Sequence, residues 1–381
     1  MTDNQILFMV VLLLYLSECL FWVGSDGLAF TKSFKEWKVT LPSSLFGNAK
    51  GGLALAWPLP FLGKAYLSYF LPLSFSEKGI VNASLEGVGK RTATLLDNPT
   101  FILYEEIKNV TYKGGDLIVN GELFCKCGST GQANALAEFL QNIRCQKERK
   151  VTIHNFLKSL FDMNSLRAAH ETISQQTKSL VILCNSQFFC LLIIAPILLY
   201  FFGTQLLIAS FIYIILTNLL IAIFFYLVHR KIYPNQIGER VSDVLKMIFC
   251  PPMTIRATDV LTLRYLTAFH PLAVARLVSN DVKFELLAKQ MLLSFNYPSD
   301  TIDDNEYKHD MLWHLKAMEE SVYNFLNENG ISASVLTVVP KQVNGVVSYC
   351  PRCHTQYTVK DGQCLECSGV TLIEYTGKNN G

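Results

Sequence analysis

The longest feature of the hydropathy pattern is the run from Ser179 to His229, fifty-one residues without one Lys, Arg, Asp or Glu. Inside it, residues 180–202 and 205–228 are apolar all round and lack the polar stripe of a surface helix. A helix rises about 1.5 Å per residue, so each block is long enough to cross a hydrocarbon core of roughly 30 Å. Only Gly203-Thr204 separates them, which predicts an antiparallel transmembrane hairpin. Asn185, Ser186, Gln187 and Asn218 are its polar exceptions. With no ionisable residue beside them, they read as interhelical hydrogen-bonding groups rather than a transport path. Pro196 predicts a kink in the first arm.

A third apolar stretch, residues 6–23, opens the chain. No Lys or Arg precedes it and no A-x-A-like site follows, so it reads as a retained anchor rather than a secretory signal, with Glu18 near one interface. Lys and Arg then orient the protein: 18 lie in residues 24–178, 15 in residues 230–381, and none elsewhere. Three spans put both blocks on one side, which the positive-inside rule makes the cytosol. Eleven Cys in such a protein argue for reduced thiols and metal ligation rather than a disulfide framework. A net charge of +2 excludes a global polyelectrolyte attraction.

Residues 51–75 are apolar enough to suggest another span, yet Pro58, Pro60, Gly63, Lys64 and Pro72 fall inside. Lipid cannot replace the donors that proline removes, so strands and turns are expected. Short β-prone runs follow at 73–75, 92–96, 101–104, 109–112, 116–119 and 122–125, punctuated by Gly114-Gly115 and Asn120-Gly121. Asn-Gly is the strongest hairpin signal in the chain. Residues 130–143 then read as one amphipathic helix, with Thr130 placed to cap it. Strands, a last hairpin and a closing helix resemble the second half of the pleckstrin-homology-like domains of bacterial membrane proteins, over about residues 70–145. That resemblance implies a binding or scaffolding module beside a membrane. The basic run Arg144, Lys147, Arg149 and Lys150 suits either an anionic bilayer or a solvated helix end. Gly87-Val88-Gly89-Lys90-Arg91 lacks the other residues of a phosphate loop and reads as a turn.

Beyond the hairpin the periodicity is helical. Val241, Val244, Leu245 and Ile248 mark a short helix stopped by Cys250-Pro251-Pro252, further helices follow, and a long one covers 306–327. Residues 335–339 read as a strand. His270, His309 and His314, with the acidic loop Asp300, Asp303, Asp304 and Glu306, are the candidates for an active site here. They match no catalytic motif, and His309 and His314 are poorly spaced for one metal.

The sharpest chemistry closes the chain. Cys350-Pro351-Arg352-Cys353 and Cys364-Leu365-Glu366-Cys367 are two C-x-x-C knuckles separated by ten residues. Four thiolates so spaced close a tetrahedral site for structural Zn2+, with iron the next candidate. With β-prone flanks, residues 345–376 resemble a zinc ribbon, although His354 and Ser368 stand where the commonest knuckle has Gly. The ribbon's few cations are matched by anions, so nucleic acid is not expected as a partner.

The expected protein is therefore a multidomain membrane protein: an anchor (1–24), a β-rich pleckstrin-homology-like domain (25–150), a helical linker (151–179), a transmembrane hairpin (180–229), an α-helical cytosolic domain (230–340) and a zinc ribbon (341–381). The pairing of modules resembles bacterial inner-membrane proteins. The expected role is a membrane-tethered binding or scaffold protein with the bilayer, a cytosolic protein and a second copy of itself as partners. A membrane enzyme and a subunit of an oligomeric transporter are the alternatives.

Overall fold

The apolar start of the chain does not run on as one helix. In the computed structural model Ile6, Met9, Val10 and Leu13 are helical and exposed, but Leu20–Val23 is a strand (β1). This corrects the expectation of a helical span over 6–23: β1 hydrogen-bonds antiparallel to β4, so the helix must stop before Leu20. Strands β2 (Gly27–Lys32), β3 (Trp37–Thr40), β4 (Gly52–Leu55) and β5 (Lys64–Ser68) follow, and β3, β2 and β5 form a second small sheet. Extended backbone around Lys64 agrees with the strand reading of residues 51–75. The described residues are these segments together with 71–82, 100–127, 129–194, 196–197, 201, 205–249, 253–254, 257–295, 308–351, 354–365 and 370–375.

The next strands build two antiparallel meanders. Strands β6 (Ser74–Phe75), β7 (Gly79–Val81) and β8 (Phe101–Leu103) form one. Strands β9 (Val110–Lys113), β10 (Asp116–Val119) and β11 (Glu122–Lys126) form the other. Asn120 (φ +55°) and Gly121 (φ +89°) make the tight left-handed turn that their dipeptide predicts. The Asn120 side chain also orders the approach to β9, accepting from Lys108 N at 2.7 Å and donating to Glu106 O at 2.8 Å. The register slips between Leu117 and Ile118, a bulge that adds twist to the hairpin.

Helix α1 (Thr130–Ile143) starts one residue from the expected cap: Ser129, not Thr130, accepts from Gln132 N, at 3.1 Å. Its buried face, including Leu136, Leu140 and Ile143, is the one its 3.6-residue period predicts. Helix α2 (Arg149–Ser159) follows, and Phe75, Phe139 and Phe156 pack three elements together, the latter two rings stacked at 4.1 Å. Tyr104 is fully buried and donates to Ser76 O at 3.0 Å. The basic run is turned onto this module: Arg144 donates to Lys108 O at 2.8 Å, Arg149 lies over the Tyr104 ring, and Lys150 pairs with Glu77 at 2.7 Å. These contacts favour a structural role for the run over attraction to lipid.

Helices α3 (Met163–Gln176) and α4 (Lys178–Phe189) lead into a π-helical turn, Cys190–Ile194. It precedes Pro196, whose ring crowds the carbonyl four residues back and whose nitrogen has no proton to donate. The expected disturbance of the first arm is therefore seen. Helix α5 (Gln205–Ile232) is the second arm. Among the described residues its Phe211–Ile232 portion is the one helix long and apolar enough to cross a membrane. Helices α6 (Ile237–Phe249) and α7 (Ala257–Leu266) pack against α5 around Leu180, Ile221, Phe225, Met247 and Leu261.

Helices α8 (Pro271–Val278), α9 (Asp281–Ser294), α10 (Lys308–Glu328) and α11 (Ala333–Leu336) complete the helical part. The strand expected over 335–339 is not formed: Ala333–Leu336 is a helical turn and 337–339 has no strand. Strands β12 (Ser348–Tyr349), β13 (Gln356–Tyr357) and β14 (Ile373–Glu374) close the chain as one antiparallel sheet, β12 in the centre. The chain divides into two units: Met1–Val23, Ala29–Tyr66 and Asn164–Leu266 form one, and Gly24–Leu28, Leu67–Met163 and Thr267–Gly381 the other. The helical block expected over 230–340 is therefore shared, α6 and α7 belonging with the apolar hairpin.

Gly79 marks the tightest approach in the first meander. A Cβ there would lie 2.2 Å from the Ile102 carbonyl oxygen. Gly79→Ala should destabilise this meander by about 1–3 kcal/mol. Faster hydrogen exchange in peptides covering 71–82 and 100–107 of the full-length protein checks it; unchanged exchange contradicts it.

Candidate functional site

The C-terminal sheet brings two of the four expected thiols into one small core. Cys350 and Cys364 are buried with Val370 and Leu372, and Tyr357 packs against them. Cys350 N donates to Thr355 O and His354 N to Cys350 O, both at 2.9 Å, so the chain turns tightly after β12. His354 sits at φ +59°, in the left-handed region that non-glycine residues seldom enter. This is the position where a common metal knuckle has Gly, so the backbone that Gly would supply is present with His in its place. On the other side Cys364 N donates to Val370 O at 2.8 Å, and Leu372 N to Gly362 O at 2.9 Å. The Tyr357 hydroxyl lies 3.1 Å from Cys364 Sγ and accepts from Leu365 N at 3.1 Å. The hydroxyl thus bridges the Leu365 amide and the Cys364 sulfur, fixing the position of that sulfur. Cys353 and Cys367 lie outside the described residues. Among the described residues no three His, Cys, Asp or Glu side chains gather as metal ligands.

The three candidate histidines have separate surroundings. His270 caps α8, its Nδ1 accepting from Leu272 N at 3.1 Å, and its ring stacks on Phe161 at 4.4 Å. His314 is buried on α10, edge-on to Phe75 at 5.5 Å, and its Nδ1 has no hydrogen-bond partner among the described residues. Burial holds this ring down to about 4, so it is neutral near pH 7. His309 is exposed. Two of the three thus serve as cap and core. Asp300, Asp303, Asp304 and Glu306 lie outside the described residues.

The densest polar chemistry lies where the sequence reading did not look. Arg264 on α7 is buried, and its Nη2 donates to Asp243 Oδ2 at 2.7 Å. Its Nη1 lies 2.8 Å from His229 Nε2, Gln236 Oε1 and Glu239 Oε2 alike. A guanidinium only donates, so His229 must accept through Nε2 and carry its proton on Nδ1. Arg240, also buried, lies over the Tyr226 ring at 5.3 Å, and its Nε and Nη1 have no hydrogen-bond partner among the described residues. A second cluster has no formal charge: Gln187 donates to Asn218, and Thr254 Oγ1 lies 3.1 Å from Gln187 Oε1 and 3.0 Å from Asn218 Oδ1. The Cys184 thiol donates to Thr254 O at 3.3 Å. Gln187 and Asn218 are the amides expected to join the two arms; Thr254 was not foreseen as their partner.

This arrangement turns α6 over. Of the four apolar residues that mark this helix, Val244 packs on the core while Val241, Leu245 and Ile248 are exposed, and Arg240, Asp243 and Met247 are buried. The available signal was Arg240, Asp243 and Met247 at helical spacing, a stripe as regular as the apolar one.

No family model, curated protein or solved structure matches this chain.

Two outcomes follow. Free His titrates near 6.5, so as pH falls the unfolded chain takes up its proton before the buried His314 ring does. The stabilisation from keeping that ring neutral is complete above about pH 6.5 and fades as pH falls towards 4, by about 3 kcal/mol at most. His314→Phe should flatten the acid limb of a thermal-stability profile; an unchanged limb contradicts this. Arg264→Met removes the buried cation between Asp243 and half-buried Glu239, leaving Asp243 with Lys246 alone, and should cost about 3 kcal/mol. Thermal unfolding of the full-length protein in detergent measures it, and an unchanged midpoint contradicts it.

Proposed function

We propose that this chain is a membrane-tethered binding or scaffold protein of a bacterial inner membrane, holding a pleckstrin-homology-like module and a zinc ribbon on the cytosolic side. The observation that carries the reading is the outward face of α5. Ile208, Ile212, Ile215, Leu219 and Ile223 are exposed on a helix whose buried face holds Asn218, Ile221 and Phe225. Water would oppose so much exposed aliphatic surface, whereas hydrocarbon accepts it. Arg230 and Lys231 end the span, as expected at a cytosolic interface.

A hairpin anchor alone returns the chain to the side it left, so residues 24–178 and 230–381 share one side whatever residues 6–19 do. Two antiparallel meanders followed by α1 support the pleckstrin-homology-like reading of residues 71–145. For the ribbon, the support is the pairing of Cys350 with Cys364 in one core and the left-handed His354. Four thiolates fill a zinc ion's coordination shell, so the metal's part is to hold the ribbon together. His270 and His314, engaged as cap and core, weigh against the enzyme alternative, and the amide cluster of the hairpin serves as glue between helices.

The expected result is one zinc per chain in the purified full-length protein. Cys353→Ser and Cys364→Ser should each lose the metal and expose the tail beyond residue 340 to protease. With Cys364→Ser, inverted membrane vesicles should permit cleavage of that tail, and intact spheroplasts should protect it. A metal-free protein with a protease-resistant tail overturns the ribbon; cleavage in intact spheroplasts overturns the orientation.

A further inference from the structure

The turned-over helix α6 raises the question of what covers its outer face. Ile237, Val241, Leu245, Ile248 and Phe249 form one stripe along it, and Phe249 at its far end is 81% exposed. The course of the chain beside α5 gives the answer, because each contact marks a level along that helix. Near the charged end of α5, Tyr233 donates to Leu261 O on α7 at 3.2 Å, and His229 meets Arg264. Further in, Arg240 of α6 lies over Tyr226. Deeper still, Met247 of α6 and Ala257 of α7 share the core of Ile221. Deepest of all, Thr254, from the connection between α6 and α7, bonds to Asn218 and Gln187.

So α6 runs back along α5, turns at the level of Asn218, and α7 returns. Asn218 is twelve residues from Arg230, about 18 Å of helix. In a core of roughly 30 Å, that level is near the middle.

From this we infer that α6, its proline-bearing connection and α7 form a re-entrant helical hairpin, which enters the bilayer from the cytosolic side, turns near the midplane and presents the outer stripe of α6 to lipid acyl chains. This rests on the reading of α5 as a membrane span and adds a second membrane element, over residues 237–266. Two independent features support it. A turn at membrane depth needs its polar groups met by protein, and Thr254, in the described part of the connection, is met by Gln187, Asn218 and Cys184. The element is also polar within and apolar without: Arg240, Asp243 and Arg264 are buried while the aliphatic stripe faces out. The stripe is continuous in character with the exposed aliphatic face of α5, so one hydrocarbon phase suits both. Ser242 and Lys246 are the polar exceptions on the exposed side of α6; Lys246 is bound to Asp243 at 3.1 Å, and its long stem can carry its charge towards the interface.

Tryptophan quenching by brominated lipids tests the placement. Full-length protein in vesicles carries Phe249→Trp, Ile248→Trp, Val241→Trp or, as the reference on α5, Ile215→Trp; each signal is read as the emission added over the parent. Phe249 and Ile248 are both exposed, so a larger ring at either position displaces no buried side chain. The expected result is that Phe249→Trp and Ile248→Trp lose most of the added emission to lipids brominated near the chain end. Val241→Trp should instead be quenched more by bromines near the headgroup. Quenching of Ile215→Trp alone overturns the re-entrant hairpin while leaving the span of α5 in place. Quenching of none of the four overturns both readings.

Discussion

A guanidinium shut away from water governs the hairpin unit. Arg264 is buried beside an apolar helix, where an uncompensated charge is costly, so the surrounding groups must supply acceptors. Asp243 and Glu239 come from α6, His229 from α5, and Gln236 from the turn between them. That demand sets the rotation of α6 about its axis, since Asp243 and Arg240 must point inward. Its aliphatic residues then have nowhere to go but out. The exposed stripe is thus a consequence of the buried charge, and the two cannot be separated by moving a single side chain.

The second polar cluster does for position what Arg264 does for rotation. Gln187, Asn218 and Thr254 tie both arms of the hairpin to the connection that follows α6. None of the three is ionisable, so the cluster fixes geometry without a charge to be desolvated. The other unit is held by ordinary means. Phe75, Phe139 and Phe156 interlock a strand and two helices, and Asn120-Gly121 provides a turn whose twist matches the strands it joins.

What could be read in advance follows the range of the forces involved. Helix α1 and the strands β9 to β11 were legible because local period and turn chemistry agreed with burial. The π-helical turn ahead of Pro196 was legible as a disturbance because proline acts on the residues next to it. The cap fell on Ser129 rather than Thr130, a one-residue shift that side-chain identity cannot decide when two hydroxyls are adjacent. Helix α6 was legible as a helix from Val241, Val244, Leu245 and Ile248, but not which of them meet protein: only Val244 packs on the core, because the buried partners Arg240 and Asp243 set its rotation. The strand at Leu20–Val23 was missed because its pairing with Gly52–Leu55 is set some thirty residues away. In the C-terminal sheet, the spacing of the four thiols was visible, whereas Tyr357 was not: its hydroxyl reaches Cys364 only after the sheet has formed.

The central claim is that lipid covers the aliphatic faces of both α5 and α6. The most direct measurement is photolabelling of the full-length protein in bilayers by a lipid with a diazirine in its acyl chain, with the labelled residues mapped by mass spectrometry. The account predicts adducts on Ile215 and Leu219 of α5 together with Leu245 and Phe249 of α6. Adducts confined to α5, or spread over the ribbon and the strand-rich module instead, would contradict it.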